Sequence, residues 1–297
     1  MHSQRNYPLI FSCEFFPPKG DEGASKLRRT RKKLARLHPR YYSVTFGAGG
    51  STRDRTFETI SAIQAEAKKT GIEAAPHLSC VGATRGNIRE ILKAYQQQGV
   101  KRLVTLRGDL PSGMVDPGDF HYANQLVEFI RAETEDYFYI EVAAYPEVHP
   151  QARSARADLM NFKRKVEAGA NSAITQYFYN IDAYLRFVDR CESVGIDLPI
   201  VPGIMPINNY VQLARFSDAC GAEIPRWLRK RLEEFRDPAA MSAFALDVIS
   251  DLCHRLLESG APGLHFYTLN RADPTLAIWN NLGLKVKPAD LSTAAKT

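Results

Sequence analysis

Short runs rich in β-branched and aromatic residues alternate along the chain with longer stretches whose apolar positions recur at helical spacing. The short runs predict strands at Leu9–Phe15, Tyr41–Phe46, Ala74–Ser79, Arg102–Leu106, Tyr137–Ala144, Ala173–Tyr177, Pro199–Gly203 and Gly263–Tyr267. The longer stretches predict helices at 21–37, 53–69, 85–98, 120–134, 154–168, 181–193, 208–218, 238–258 and 274–282. A further segment, 224–236 (IPRWLRKRLEEFR), reads as an extra helix before the final strand. Alternation without hairpin signals implies a parallel sheet. Eight such units favour a closed (β/α)8 TIM barrel of the α/β class over an open doubly wound sheet. No G-x-G-x-x-G or G-x-x-x-x-G-K-[ST] follows a strand, which argues against a dinucleotide fingerprint or P-loop. No composition break divides the 297 residues. The expected organisation is an N-terminal extension at 1–8, one barrel domain at 9–286 and a polar, disordered tail at 287–297.

Barrels of this kind build their sites at the carboxyl ends of the strands. Those ends carry Glu14, Thr45, His77, Arg107 with Asp109, Tyr145 with His149, Gln176, and Asn270 with Arg271. Any one of them could be an ordinary loop residue; their convergence on one mouth points to a small-molecule enzyme rather than a scaffold. Glu14 lies in an apolar setting, FSCEFFPP, and desolvation there predicts a raised pKa and a carboxylic acid able to donate a proton. A Glu paired with an Arg at the mouth is the alternative. In LVTLRGDLP, Gly108 would let the backbone approach a ligand, with Arg107 and Asp109 to either side, although a plain strand-to-loop turn has the same composition. The segment YPEVHP at 145–150 precedes a helical stretch carrying Asp158, Asn161, Arg164 and Lys165 at spacings of three and four. Such a stripe can hold a diphosphate or ribose, or it can be an exposed salt-bridged face; spacing alone leaves both open.

Composition narrows the class. At 44% hydrophobic and 24% charged, this is an ordinary globular mixture, and no run approaches the roughly 18 apolar residues needed to span a bilayer. The N-terminus lacks the layout of a secretory signal. Five cysteines at 13, 80, 191, 220 and 253 form no C-x-x-C pair, so reduced thiols in a cytoplasmic protein are expected. The histidines show no metal-ligand spacing, and no metal is expected. The +6 charge concentrates in KLRRTRKKLAR at 26–36, interrupted by Leu27 and Leu34, which reads as a solvated helix face with a buried stripe. Without interleaved aromatics it does not suggest a nucleic-acid partner.

The segments CEFFPP, SVTFGAGGSTRDRT, PHLSC, LRGDLP, AAYPEVHP, NFKRKVEAGA, ITQYFY, VPGIMP and HFYTLNR occur in this order from about residue 9 to 285. Together they resemble the methylenetetrahydrofolate reductases, specifically the bacterial type that consists of the catalytic domain alone. The resemblance implies a flavoprotein barrel that uses FAD and NADH or NADPH to reduce 5,10-methylenetetrahydrofolate to 5-methyltetrahydrofolate by a ping-pong scheme, feeding methionine synthesis. It implies that Glu14 protonates nitrogen 10 of the folate and that Asp109 contacts the pterin near the flavin. It implies an FAD set of Phe46, Ala48, His77, Arg107, Gly108, Asp109, Tyr122, Tyr145, His149, Ala152, Asp158, Asn161, Arg164 and Lys165, with Thr45 facing the nicotinamide. Gln176, Gln212, Phe216, Tyr267 and Arg271 are the implied substrate contacts, with Phe216 packing on the aminobenzoyl ring of the folate or, in the other half-reaction, on the nicotinamide. It also implies a homo-oligomer whose partners are small molecules, with no membrane or nucleic acid involved.

Two departures stand out. Tyr177 occupies a position where phenylalanine is familiar, adding a hydroxyl near the pocket, and the loop from Ser112 to Gly118 differs in length from some relatives, which loosens the match at Tyr122. Rival readings are a flavin barrel oxidising another amine such as proline, and a flavin-less pterin-binding barrel. A proline oxidase would not require Glu14, and a flavin-less protein would be colourless. No 2′-phosphate site is legible in the sequence, so it leaves NADH and NADPH equal.

Overall fold

The computed structural model describes residues 1–46, 50–109 and 118–284. Among these, parallel strands β1 (Ile10–Phe15), β2 (Tyr41–Val44), β3 (Glu73–Ser79), β4 (Arg102–Leu106), β5 (Tyr139–Ala144), β6 (Ser172–Thr175), β7 (Ile200–Val201), β8 (Gly203–Ile204) and β9 (Gly263–Tyr267) form one sheet. Helices α1 (Asp21–Leu34), α2 (Gly50–Thr70), α3 (Arg85–Gln97), α4 (Ala123–Thr134), α5 (Ala155–Glu167), α6 (Ile181–Ser193), α7 (Tyr210–Cys220), α8 (Arg226–Glu234), α9 (Pro238–Ser259) and α10 (Asp273–Asn281) alternate with them. The order β7-β6-β5-β4-β3-β2-β1-β9-β8 brings the two ends of the sheet together at Pro202. This is the TIM-like barrel that the alternation predicts.

The expected strand at Pro199–Gly203 is divided in two. Pro202 has no N–H, so the ladder breaks there and the chain changes neighbours. Ile200 and Val201 pair with Ala173 and Ile174 of β6, whereas Gly203 and Ile204 pair with His265 and Phe266 of β9. β7 and β8 are thus two halves of the seventh barrel strand. Gly203 is required at the junction, because a Cβ there would sit 2.2 Å from the Thr175 carbonyl oxygen and 2.6 Å from the Tyr267 ring.

Side chains two apart on a strand share a face. Cys13 and Phe15 of β1 face outward into the layer shared with the helices, joined by Leu27 and Leu34 of α1. Tyr41, Ala75, Val104 and Ile174 form a smaller apolar cluster inside the barrel, flanked by Ile10, Leu106 and Tyr267. The barrel interior also holds charge: the Tyr41 hydroxyl donates to Glu141 at 2.6 Å, and Arg102 donates to the same carboxylate at 2.5 Å. The basic helix α1 buries Leu27, Thr30, Arg31 and Leu34 and exposes most of its remaining cations, as its apolar spacing predicts apart from Arg31. Residues 1–8, expected as an extension before the barrel, are tied to it. Gln4 is buried, donating to the Leu198 carbonyl at 3.1 Å and accepting from the Ile200 amide at 2.8 Å. The expected tail lies outside the described residues.

Candidate active site

Glu14 stands at the carboxyl end of β1, two residues after Ser12, so both point into the barrel. β9 lies alongside with Ser12 opposite His265 and Glu14 opposite Tyr267. The carboxylate is 13% exposed, with Oε2 3.4 Å from His265 Nε2 and 3.1 Å from His77 Nε2 on β3. The His265 contact is directed as a hydrogen bond. The His77 contact is off-line, and His77 Nε2 is buried without a hydrogen-bond partner among the described residues. The far side of His265 is fixed as well, its Nδ1 lying 2.7 Å from the Ser12 hydroxyl.

This geometry corrects the expected acidity of Glu14. Burial does push the carboxyl upward, but His77 and His265 outweigh it and hold the group at about 2. Its partners are imidazoles rather than the guanidinium of the alternative reading. The cluster is therefore an ionised carboxylate flanked by two imidazoles.

The mouth continues around β4 and β5. The loop after β4 turns at Gly108, whose φ of +87° is a conformation that L side chains avoid and whose added Cβ would strike the Ser79 hydroxyl. Arg107 donates to Gln151 at 2.6 Å and to the Gly108 carbonyl at 3.1 Å, and Asp109 is exposed beside it. In the loop after β5, Tyr145 packs edge-on against His149 at 4.5 Å. Burial and the nearby Asp109 carboxylate push the Tyr145 phenol up to about 12. Val148 between them has φ +81°, a strained conformation for a β-branched residue. Asp158 of α5 holds the loop by accepting from the His149 amide at 2.8 Å, and Ala152 closes it by donating to the His149 carbonyl at 2.9 Å.

The α5 stripe divides into two faces. Lys165 points inward to the Ala143 carbonyl at 2.5 Å, and burial lowers its pKa to about 8 against the pull of Asp158. Arg164 and Asn161 pair with each other on the exposed face at 2.6 Å. Tyr122 caps α4 with its side chain 62% exposed and its carbonyl oxygen beside the Cys80 thiol. Thr45 and Phe46 end the described part of the β2 loop, half-buried, and Ala48 lies outside the described residues.

On the opposite rim, the Gln176 side chain folds back to accept from the Tyr177 amide at 3.0 Å. The Tyr267 hydroxyl donates to the Thr175 carbonyl at 2.8 Å, with its ring against His265 at 5.2 Å. Gln212 and Phe216 lie one helical turn apart on exposed positions of α7. Arg271 follows the consecutive positive-φ residues Leu269 and Asn270 that end β9. Asn270 binds both the amide and the carbonyl of Phe16, at 2.9 and 3.0 Å, which locks this turn to the end of β1. Sequence reading left Ser12 and His265 unassigned, although period-two alternation from Glu14 and Tyr267 places both inside the barrel.

An apolar groove of about 160 Å³ between α9, α10 and the loop after β8 contains none of these residues. Among the described residues, no group of three or more His, Cys, Asp or Glu side chains is arranged so that it could hold a metal ion.

The fold and the mouth define a (β/α)8-barrel enzyme with a carboxylate–imidazole cluster at the carboxyl end of its strands. Residues 2–283 match the family model for methylenetetrahydrofolate reductase. The chain is 45% identical over 275 residues to the 5,10-methylenetetrahydrofolate reductases of Salmonella typhimurium and Escherichia coli, covering 92% of this chain and 90% of each relative. It is 38% identical over 289 residues to a probable methylenetetrahydrofolate reductase (NADH) of Oryza sativa, of which the match spans 48%. Among solved structures, a Clostridium thermocellum protein that binds two copies of 5-methyl-5,6,7,8-tetrahydrofolic acid has the same fold, with a TM-score of 0.61 at 17% identity, covering 95% of this chain and 96% of that one. The chain belongs to the methylenetetrahydrofolate reductase family.

Proposed function

We propose that the protein reduces 5,10-methylenetetrahydrofolate to 5-methyltetrahydrofolate, with FAD as resident cofactor and NADH or NADPH as reductant. The observation that carries this reading is the buried Glu14 carboxylate between His77 and His265 at the mouth of a barrel of this family.

The residues on the β3–β5 side suit a dinucleotide flavin. Gly108 leaves the backbone bare, Arg107 and Lys165 offer donors and positive charge for a diphosphate, and the His77 and His149 rings stand beside them. FAD supplies the hydride acceptor and donor that amino-acid side chains lack. Thr45, Phe46, Ala48, Tyr122, Tyr145, Ala152, Asp158, Asn161 and Arg164 complete the proposed set. Asp109 places a negative charge at the same rim, where it disfavours accumulation of further negative charge and contacts the pterin. The nicotinamide nucleotide and the folate use one mouth in turn, which is a ping-pong order.

Opening the folate's five-membered ring requires a proton at nitrogen 10. Glu14 delivers it; the contacts with His77 and His265 lower its carboxyl pKa at rest, so the carboxyl takes up its proton once the folate is bound. Gln176, Gln212, Phe216, Tyr267 and Arg271 orient the folate on the opposite rim. A homo-oligomer acting in the cytoplasm completes the reading, resting on family membership alone.

Glu14→Gln tests the assignment. Reduction of the bound flavin by NADH in a rapid-mixing experiment should stay near wild type, while its reoxidation by methylenetetrahydrofolate falls by about 10²-fold or more. Equal loss in both half-reactions would contradict the proton-donor role.

A further inference from the structure

Tyr177 follows Gln176 directly at the end of β6, yet its hydroxyl does not face the mouth. The side chain is 3% exposed, and its oxygen lies 3.1 Å from the Ser217 hydroxyl and 3.4 Å from the Cys220 sulfur, both on α7. With the Cys220 thiol donating to Tyr177, the Tyr177 hydroxyl donates on to Ser217, and all three groups are satisfied by one another. Leu213, Ser217 and Cys220 recur at the spacing of a single helix face, turned toward the barrel. Gln212 and Phe216 each precede one of these residues, so they form the adjacent stripe, about 100° further round the helix.

The C-terminal end of α7 is pinned independently. Gly221 passes so close to Pro150 that a Cβ would approach its ring to 2.6 Å, and the Glu223 amide donates to Glu147 at 2.8 Å. The N-terminal end has the Asn209 cap and the Tyr210–Glu233 hydrogen bond, both exposed. The rotation of the helix about its own axis is therefore set in its middle, where the polar tie is the one between Tyr177 and Ser217.

We propose that Tyr177 is a positioning residue for the folate: its hydroxyl clasps α7 through Ser217 and Cys220 and thereby aims Phe216 and Gln212 at the mouth. The inference rests on the reading of those two residues as folate contacts and adds the group that orients them. Removing one oxygen leaves the Ser217 hydroxyl buried without its partner and frees the helix to rotate.

The test is Tyr177→Phe in the FAD-loaded enzyme, read by steady-state kinetics and by hydrogen exchange of the α7 amides. The KM for methylenetetrahydrofolate should rise about fivefold, with kcat within about twofold and flavin reduction by NADH unchanged. The amides of residues 213–220 should exchange faster. Ser217→Ala should reproduce the effect, and the double variant should be no worse than either single one. Phe216→Ala separates this proposal from the reading beneath it. A raised KM in Phe216→Ala with an unchanged KM in Tyr177→Phe would overturn the clasp. An unchanged KM in both variants would overturn the reading of α7 as the folate helix. Unchanged α7 exchange in Tyr177→Phe would overturn the clasp whichever way the kinetics fall.

Discussion

At the scale of single residues, the site is a set of ionisable groups whose behaviour depends on partners from other strands. The apolar neighbours of Glu14 in the sequence correctly announce a buried carboxyl, and burial alone would have raised its pKa. His77 and His265 arrive from β3 and β9 and reverse the sign. That reversal was illegible because strand register, not sequence distance, decides which side chains face one another across a barrel. Glu147 is the contrasting case. Burial pushes its carboxyl up to about 7, opposed by the Glu223 amide that donates to it. Between about pH 4.5 and 7 the unfolded chain loses this proton while the native protein keeps it, so the native state loses stability as pH rises through that window. Glu147→Gln retains an acceptor for the Glu223 amide and removes the ionisation. It should leave the urea midpoint unchanged at pH 4 and raise stability by about 2 kcal/mol at pH 8. A variant less stable than wild type at pH 8 would contradict this account of Glu147.

At the scale of elements, hydrophobic periodicity located nearly every strand and helix, including the extra helix α8. The misses have local causes. The expected strand at Tyr137–Ala144 begins at Tyr139, and the one at Ala173–Tyr177 ends at Thr175, where Gln176 turns back on the Tyr177 amide. The seventh strand divides because a proline without a donor sits where the barrel closes. Spacing placed Asp158, Asn161, Arg164 and Lys165 near one another on α5 but could not show that Lys165 turns in while Arg164 turns out. Closure at Pro202 puts a hard limit on Gly203. Gly203→Ala forces a Cβ against the Thr175 carbonyl and the Tyr267 ring, and should cost about 1–3 kcal/mol in urea unfolding. A cost near zero would mean that the two half-strands separate more freely than their pairing implies.

At the scale of the whole molecule, eight strand positions deliver groups from most of the chain's length to one mouth. Each terminal region of the barrel sequence contributes: Glu14 from the first strand meets His265 from the last, and Asn270 ties the two ends together. The basic surplus, much of it carried on the outer helices, plays no part in this constellation. In the proposed function the mouth reduces methylenetetrahydrofolate through a bound flavin. Its most direct test is the absorbance spectrum of the purified, FAD-reconstituted protein under anaerobic conditions, followed first with NADH and then with methylenetetrahydrofolate. The flavin band should bleach on addition of NADH and return with the folate, with 5-methyltetrahydrofolate as product. A protein that takes up no flavin, or a bleached flavin that the folate leaves unoxidised, would contradict the proposed function.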